Sequence, residues 1–212
     1  MGAALSGLGA FSDSTARPAL QFQADRHLVG FWPTKVYFAA LDHTLSVEFL
    51  GTAGVMPQAL AGPASTVKPG ERGAGVKALT HVTYSDLWPG ISLAYDAAEG
   101  EVAKTTYTLA PGADLARLRL RYNLPVALQA DGSLKFTVSS GRGELTEAAP
   151  VAWQEIDGRR APVEAAFVVR PGNEVSFGVG VYDPRYPLVI DPVYAWHTFY
   201  RGNDEATPMP WQ

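Results

Sequence analysis

The residues able to do chemistry are few and scattered. Four histidines, His27, His43, His81 and His197, lie far apart along the chain. None forms the close-spaced pair with which a zinc-binding helix presents two imidazoles, so they read as isolated core or surface histidines. Cysteine is absent, which removes disulfides, thiolate nucleophiles and Cys-based metal centres together. No nucleophile elbow, P-loop or dinucleotide fingerprint occurs, and Ser139-Ser140-Gly141 sits beside a turn with no nominated base. A glycosidase needs only two carboxylates about 5–9.5 Å apart. Glu155 and Asp157, two positions apart, would share one face of a strand, although Asp157 is more simply the first residue of an Asp-Gly turn. Asp183 and Asp191 each precede proline, where an Asp side chain caps nearby backbone N–H groups. Asn203, Asp204 and Glu205 supply hard oxygen ligands. They make Ca2+ the ion to expect if any binds, without the spacing of an EF-hand; no other cofactor is expected.

The remaining chemistry is aromatic. In the run 193–200, Tyr194, Trp196 and Tyr200 would share one face of a strand, and Val193, Ala195, His197 and Phe199 the other. Both faces are sticky. The run either packs within the domain or, as an aromatic strand at the C-terminal edge, docks on a partner through Tyr194, Trp196, His197, Phe199 and Tyr200, because an unpaired strand edge is a template for β-addition. A carbohydrate-binding module is the alternative, with Trp88, Trp196 and Trp211 stacking on sugar rings. A carboxylate-dependent hydrolase is the second.

The elements that would position these residues are strands. Leu20, Phe22 and Ala24 alternate with glutamines, Thr105, Tyr107 and Leu109 with Thr106 and Thr108, and Val175, Phe177, Val179 and Val181 with smaller residues. Period two marks a half-buried strand. Leu118, Leu120 and Tyr122 alternate with Arg117, Arg119 and Arg121; a strand puts all three arginines on one wet face, where a helix would smear them round the cylinder. Asp131-Gly132 and Asp157-Gly158 are tight-hairpin dipeptides. The pattern predicts an all-β, antiparallel, sandwich-like fold with little helix.

The chain divides into a flexible segment (1–18), a smaller N-terminal sheet (19–56), a Pro/Gly-rich linker or long loop (57–78), a main sandwich (79–192) and the aromatic edge strand with its tail (193–212). On this division the protein packs two β subdomains together. With 18% charged residues, a net charge of −4 and no basic cluster, nucleic-acid binding has little support. No apolar run is long enough to span a membrane. The first basic residue is Arg17, so the charged start of a signal peptide is missing. Met1-Gly2 with Ser6 matches the myristoylation pattern only loosely.

Longer motifs carry a resemblance. Gly143-Glu144-Leu145, the run from Ala149 through Trp153, Asp157 and Gly158 to Val163, and the run from Val181 through Tyr182-Asp183-Pro184 and Pro187 to Asp191-Pro192 resemble the N-terminal domain of bacterial surface proteins that carry SBBP-type β-propeller repeats. Tyr84 to Tyr95 and Ala110 to Asp114 are similar to the same family's strand pair and turn. Lys68 to Ala78 departs from it, being Gly-rich where the family has an aromatic segment. The resemblance implies an exported, extracellular or cell-surface β-sandwich followed by a propeller soon after Asp191-Pro192, and no defined activity. Trp153, Asp157, Gly158, Tyr182, Asp183, Pro184, Pro187, Asp191 and Pro192 are expected to set the fold, with Trp153 as an anchor between two sheets.

Overall fold

A computed structural model describes residues 18–24, 27–41, 43–61, 79–97, 102–138 and 143–198. Two antiparallel sheets pack face to face. The first contains β1 (Leu20–Ala24), β2 (His27–Trp32), β3 (Lys35–Ala39), β4 (Thr44–Phe49), β9 (Arg119–Tyr122), β16 (Glu174–Val179) and β15 (Ala165–Arg170), in that order. The second contains β5 (Gln58–Ala61), β6 (Leu79–Trp88), β7 (Ile91–Asp96), β8 (Ala103–Leu109), β10 (Val126–Leu128), β11 (Leu134–Phe136), β12 (Gly143–Glu147), β13 (Val151–Ile156), β14 (Arg159–Val163), β17 (Leu188–Asp191) and β18 (Val193–Thr198).

The four N-terminal strands do not form a separate subdomain. Beside β4 lies β9, with Val47 facing Tyr122 and Phe49 facing Leu120, and β16 and β15 complete the sheet. Residues 18–49 are thus half of one layer over a shared core, in which Phe31 and Phe38 of the first sheet meet Tyr95 of the second. The supposed linker begins as a strand, since β5 pairs with β6; residues 62–78 lie outside the described set, as do 1–17.

The arginine alternation resolves as expected. A single 3-10 turn, Leu115–Arg117, is capped by the Asp114 carboxylate accepting from Ala116 N. Leu118, Leu120 and Tyr122 are then buried. Arg119 forks onto Glu174 at 2.7 and 3.0 Å and Arg121 reaches Glu48 at 3.3 Å on the wet face. Between β13 and β14, Asp157 and Gly158 both adopt positive φ, 51° and 73°, the geometry a two-residue hairpin turn needs and the reason glycine suits its second position.

The long ribbon formed by β12 and β13 controls which side chains enter the core. β17 and β18 oppose β8 in one continuous register, from Leu188 opposite Leu109 to Tyr194 opposite Ala103. Pro192 sits mid-ribbon, where it cannot donate, and its carbonyl accepts from both Thr105 N and Thr105 Oγ1 at 3.0 Å. On the other side, Glu147 faces Tyr194 while Val151 faces Asp191. Three residues therefore span on one strand what two span on the other. That extra residue is a β-bulge within Ala148-Ala149-Pro150, and it reverses the alternation of every residue after it.

Candidate functional site

Two places in the sandwich carry unusual chemistry, and both lie on the β12–β13 ribbon. Before the bulge, Glu147 points inward and is completely buried. Leu145, two positions earlier, faces the same core, so the strand carries a carboxyl group where its pattern calls for an apolar side chain. Tyr122 of the opposite sheet donates to Glu147 Oε2 at 2.8 Å, and the Tyr122 and Tyr194 hydroxyls lie 2.9 Å apart. The chain of hydrogen bonds thus joins β9, β12 and β18 across the two layers. Burial pushes the Glu147 carboxyl up to about 8 from its ordinary 4.5, against the lowering effect of the Tyr122 and Tyr194 hydrogen bonds. Desolvation disfavours the anion and no cation offsets it, so Glu147 is a neutral acid at neutral pH. Burial, with the Glu147 charge adding to it, also raises Tyr95, Tyr107, Tyr122 and Tyr194, so all four stay protonated.

After the bulge the ribbon turns its other side to the core. Ala152 and Gln154 are buried, and Trp153 stands half-buried on the outer face with the Arg160 guanidinium 4.4 Å above its ring. Trp153 is therefore not the anchor between the sheets that its size suggests; the bulge sends it outward. Pro162 flanks it on one side and Val189 on the other, and Val151 beside it is 63% exposed. The buried residue is Gln154. Its Nε2 donates to the carbonyls of Asp183 at 2.8 Å and Tyr186 at 3.1 Å, and its Oε1 accepts from Asp183 N at 2.8 Å. One amide thereby fixes the Tyr182–Pro187 loop.

The Arg185 side chain, helped by Arg185 N donating to Asp183 at 3.0 Å, holds the Asp183 carboxyl down to about 2. Pro184 accepts from Gly112 N at 3.1 Å. Asp191 does not cap backbone; it pairs with Lys104 at 2.8 Å. Tyr182 packs partly buried against the core.

Among the described residues, the run 193–200 is flanked on both sides only at Val193 and Tyr194; along Ala195 to Thr198 only β12 pairs with it. Further strands lie beyond β12 and β8. Tyr194 is fully buried rather than available to a partner. Trp196 and His197 are opposite Leu145 and Glu144 in the backbone register. Phe199, Tyr200, Asn203, Asp204, Glu205 and Trp211 lie outside the described residues, as does Ser139-Ser140-Gly141. Trp88, expected as a sugar platform, is buried, with its indole N–H donating to Leu50 O at 2.7 Å. Glu155 and Asp157 lie at the exposed β13–β14 hairpin and form no cleft pair.

The histidines are less isolated than their spacing suggests. β2 and β3 pair side by side, and the turns around them bring His27 Nε2 to 2.9 Å from His43 Nε2, both buried. His81 pairs across strands with Asp96 at 2.5 Å. Among the described residues, no group of three or more His, Asp or Glu converges as a metal cage. None of their helices is long and apolar enough to cross a membrane.

A family model described as a domain of unknown function, DUF7948, matches residues 40–193, well over half of the 212. The chain belongs to this family. The DUF7948 span opens just before β4 and closes on the first residue of β18, so it includes Glu147, Trp153 and three of the four tyrosines but stops one residue short of Tyr194. No curated protein and no solved structure matches the chain.

Proposed function

We propose that this DUF7948 domain is a non-catalytic extracytoplasmic module for assembly, adhesion or protein–protein interaction, normally preceding a β-propeller. The observation that supports it most directly is the outer patch of the second sheet, where Val151, Trp153, Arg160, Pro162 and Val189 stand together. Tryptophan and arginine are enriched where proteins meet, and a half-buried aromatic beside an exposed aliphatic is the composition of an interface centre. The resemblance to SBBP-repeat surface proteins supplies the compartment and the neighbouring propeller. The patch also changes where contact is expected. It adds the face around Trp153 to the strand 193–200 as a surface where contact is expected. Sugar binding is less favoured, because Trp88 is buried and Arg160 already occupies one face of the Trp153 ring.

Hydroxyl-radical footprinting tests the reading. Trp153 is expected to be labelled readily in the isolated domain and protected at least severalfold in the intact protein on producing cells. Equal labelling in the two settings would contradict it.

A further inference from the structure

The first sheet ends on an unguarded strand. Among the described residues, β15 pairs with β16 on one side and with no strand on the other. Natural proteins blunt such edges with short strands, prolines, bulges or inward charges, because an open edge is a template for pairing. Three other edge strands carry these devices. Pro162 lies within β14, β10 has only 3 residues, and β5 breaks register between Leu60 and Ala61. β15 keeps a regular register over 6 residues, contains no proline, and holds only Ala, Phe and Val before Arg170. β10 comes close to β15, but it belongs to the other layer and does not pair with it.

The register tells which backbone groups face outward. Glu164 is level with Gly180, and its carbonyl accepts from Gly180 N at 2.8 Å. Bonded positions alternate along an antiparallel pair. Residues 164, 166, 168 and 170 therefore bond to β16, while Ala165, Phe167 and Val169 turn their N–H and C=O groups to the open edge. Side chains alternate as well. Phe167 is buried and Ala165 and Val169 are half-buried on the core side; Glu164, Ala166, Val168 and Arg170 are exposed on the outer side. Glu164 forms no ion pair among the described residues. Arg170 donates to Ser176 Oγ and lies level with Glu174, but the fork of Arg119 already holds that carboxylate.

We propose that a second copy of this chain pairs with β15, antiparallel, about a two-fold axis at Phe167. In this register Phe167 meets Phe167 of the second copy and Ala165 meets Val169, so the backbone groups that face the open edge bond to one another. The same register sets Glu164 of each copy opposite Arg170 of the other, with Ala166 against Val168 between them. It also covers the half-buried Ala165 and Val169. A slide of two residues keeps the hydrogen bonds in phase but parts the charges.

Sedimentation equilibrium of the full chain is expected to show a reversible dimer with Kd below about 1 mM. Glu164→Arg or Arg170→Glu alone sets like charges against each other at both ends of the strand pair, and each is expected to weaken the dimer by at least about tenfold. The two substitutions together exchange the charges, and the dimer is expected to return. A monomer at every concentration overturns the proposal, as does a dimer that the single reversals leave unchanged or that the double exchange fails to restore. Amide hydrogen exchange reads the same edge in the wild-type chain and does not depend on how the variants fold. The amides of Ala165, Phe167 and Val169 are expected to exchange more slowly above the Kd than below it, and equal rates overturn the proposal.

Discussion

Glu147 and Trp153 stand six positions apart on one ribbon and break the usual placement rule in opposite directions. The acid is inside and the tryptophan is outside. Carboxylates are almost never fully buried unless paired, and tryptophan is highly buried on average. The difference comes from one extra residue between them. Without the bulge at Ala148-Ala149-Pro150, both side chains would fall on the same side of the strand, because their separation is even. The bulge lets the sandwich keep a polar link at its centre and still show an aromatic on its outer face.

If the inward half of the ribbon is held as described, its loss should cost most. Tyr194→Ala removes a buried ring that packs on Phe38 at 4.8 Å and bonds to Tyr122. It is expected to destabilise the domain by about 3–5 kcal/mol in denaturant melts, the range for emptying a large aromatic site. A cost below about 1 kcal/mol would mean that Tyr194 is not part of the core.

Next in size is a pH effect. Glu147 is raised in the folded state from 4.5 to about 8, so between those values the native protein binds a proton that the unfolded chain does not. The contribution of Glu147 to stability is therefore full below about pH 4.5, falls as pH rises toward 8, and levels off above that, with a total loss on the order of a few kcal/mol. Glu147 is bonded to Tyr122 from β9, which bonds in turn to Tyr194 from β18, and its charge is felt by Tyr107 from β8 and Tyr95 from β7. All are neutral across this window, so no partner titration cancels the slope. Glu147→Gln is expected to flatten it in chemical melts taken at a series of pH values.

The outward half should respond less. Trp153→Ala is expected to cost about 1 kcal/mol or less, as for a partly exposed side chain with one cation–π contact. A cost of about 3–5 kcal/mol would place the indole in the core instead. Smallest of all is Arg119→Ala. Its guanidinium is half exposed, so solvent screens the forked pair with Glu174, and double-mutant cycles with Glu174→Ala are expected to show the weakest effect of the set.

Much of this architecture is legible in the sequence, because period two survives wherever one face is wet. The arginines at 119 and 121 announce their strand, with Arg117 closing the 3-10 turn before it, and Asp157-Gly158 announces its hairpin. What stays hidden is set by distance in the fold. Trp153 looks like a core anchor because of its size, and a bulge whose only mark is Ala-Ala-Pro sends it outward. His27 and His43 meet because β3 pairs with β2 on one side and with β4 on the other, which spacing along the chain cannot show. The expected C-terminal edge is closed on both sides only at its start, where β8 pairs with Val193 and Tyr194, and beyond that only β12 pairs with it among the described residues. Glu147 did leave a signal, since it shares a strand face with Leu145, but that signal points to burial and not to the tyrosines that receive it.

The account turns on Glu147 being a neutral acid inside the sandwich. Carbon-13 NMR of the glutamate side-chain carboxyl groups, followed from acid to alkaline pH and assigned with Glu147→Gln, measures that state directly. One resonance, absent from the variant, is expected to titrate near pH 8. A Glu147 resonance that titrates near the ordinary 4.5 would contradict it.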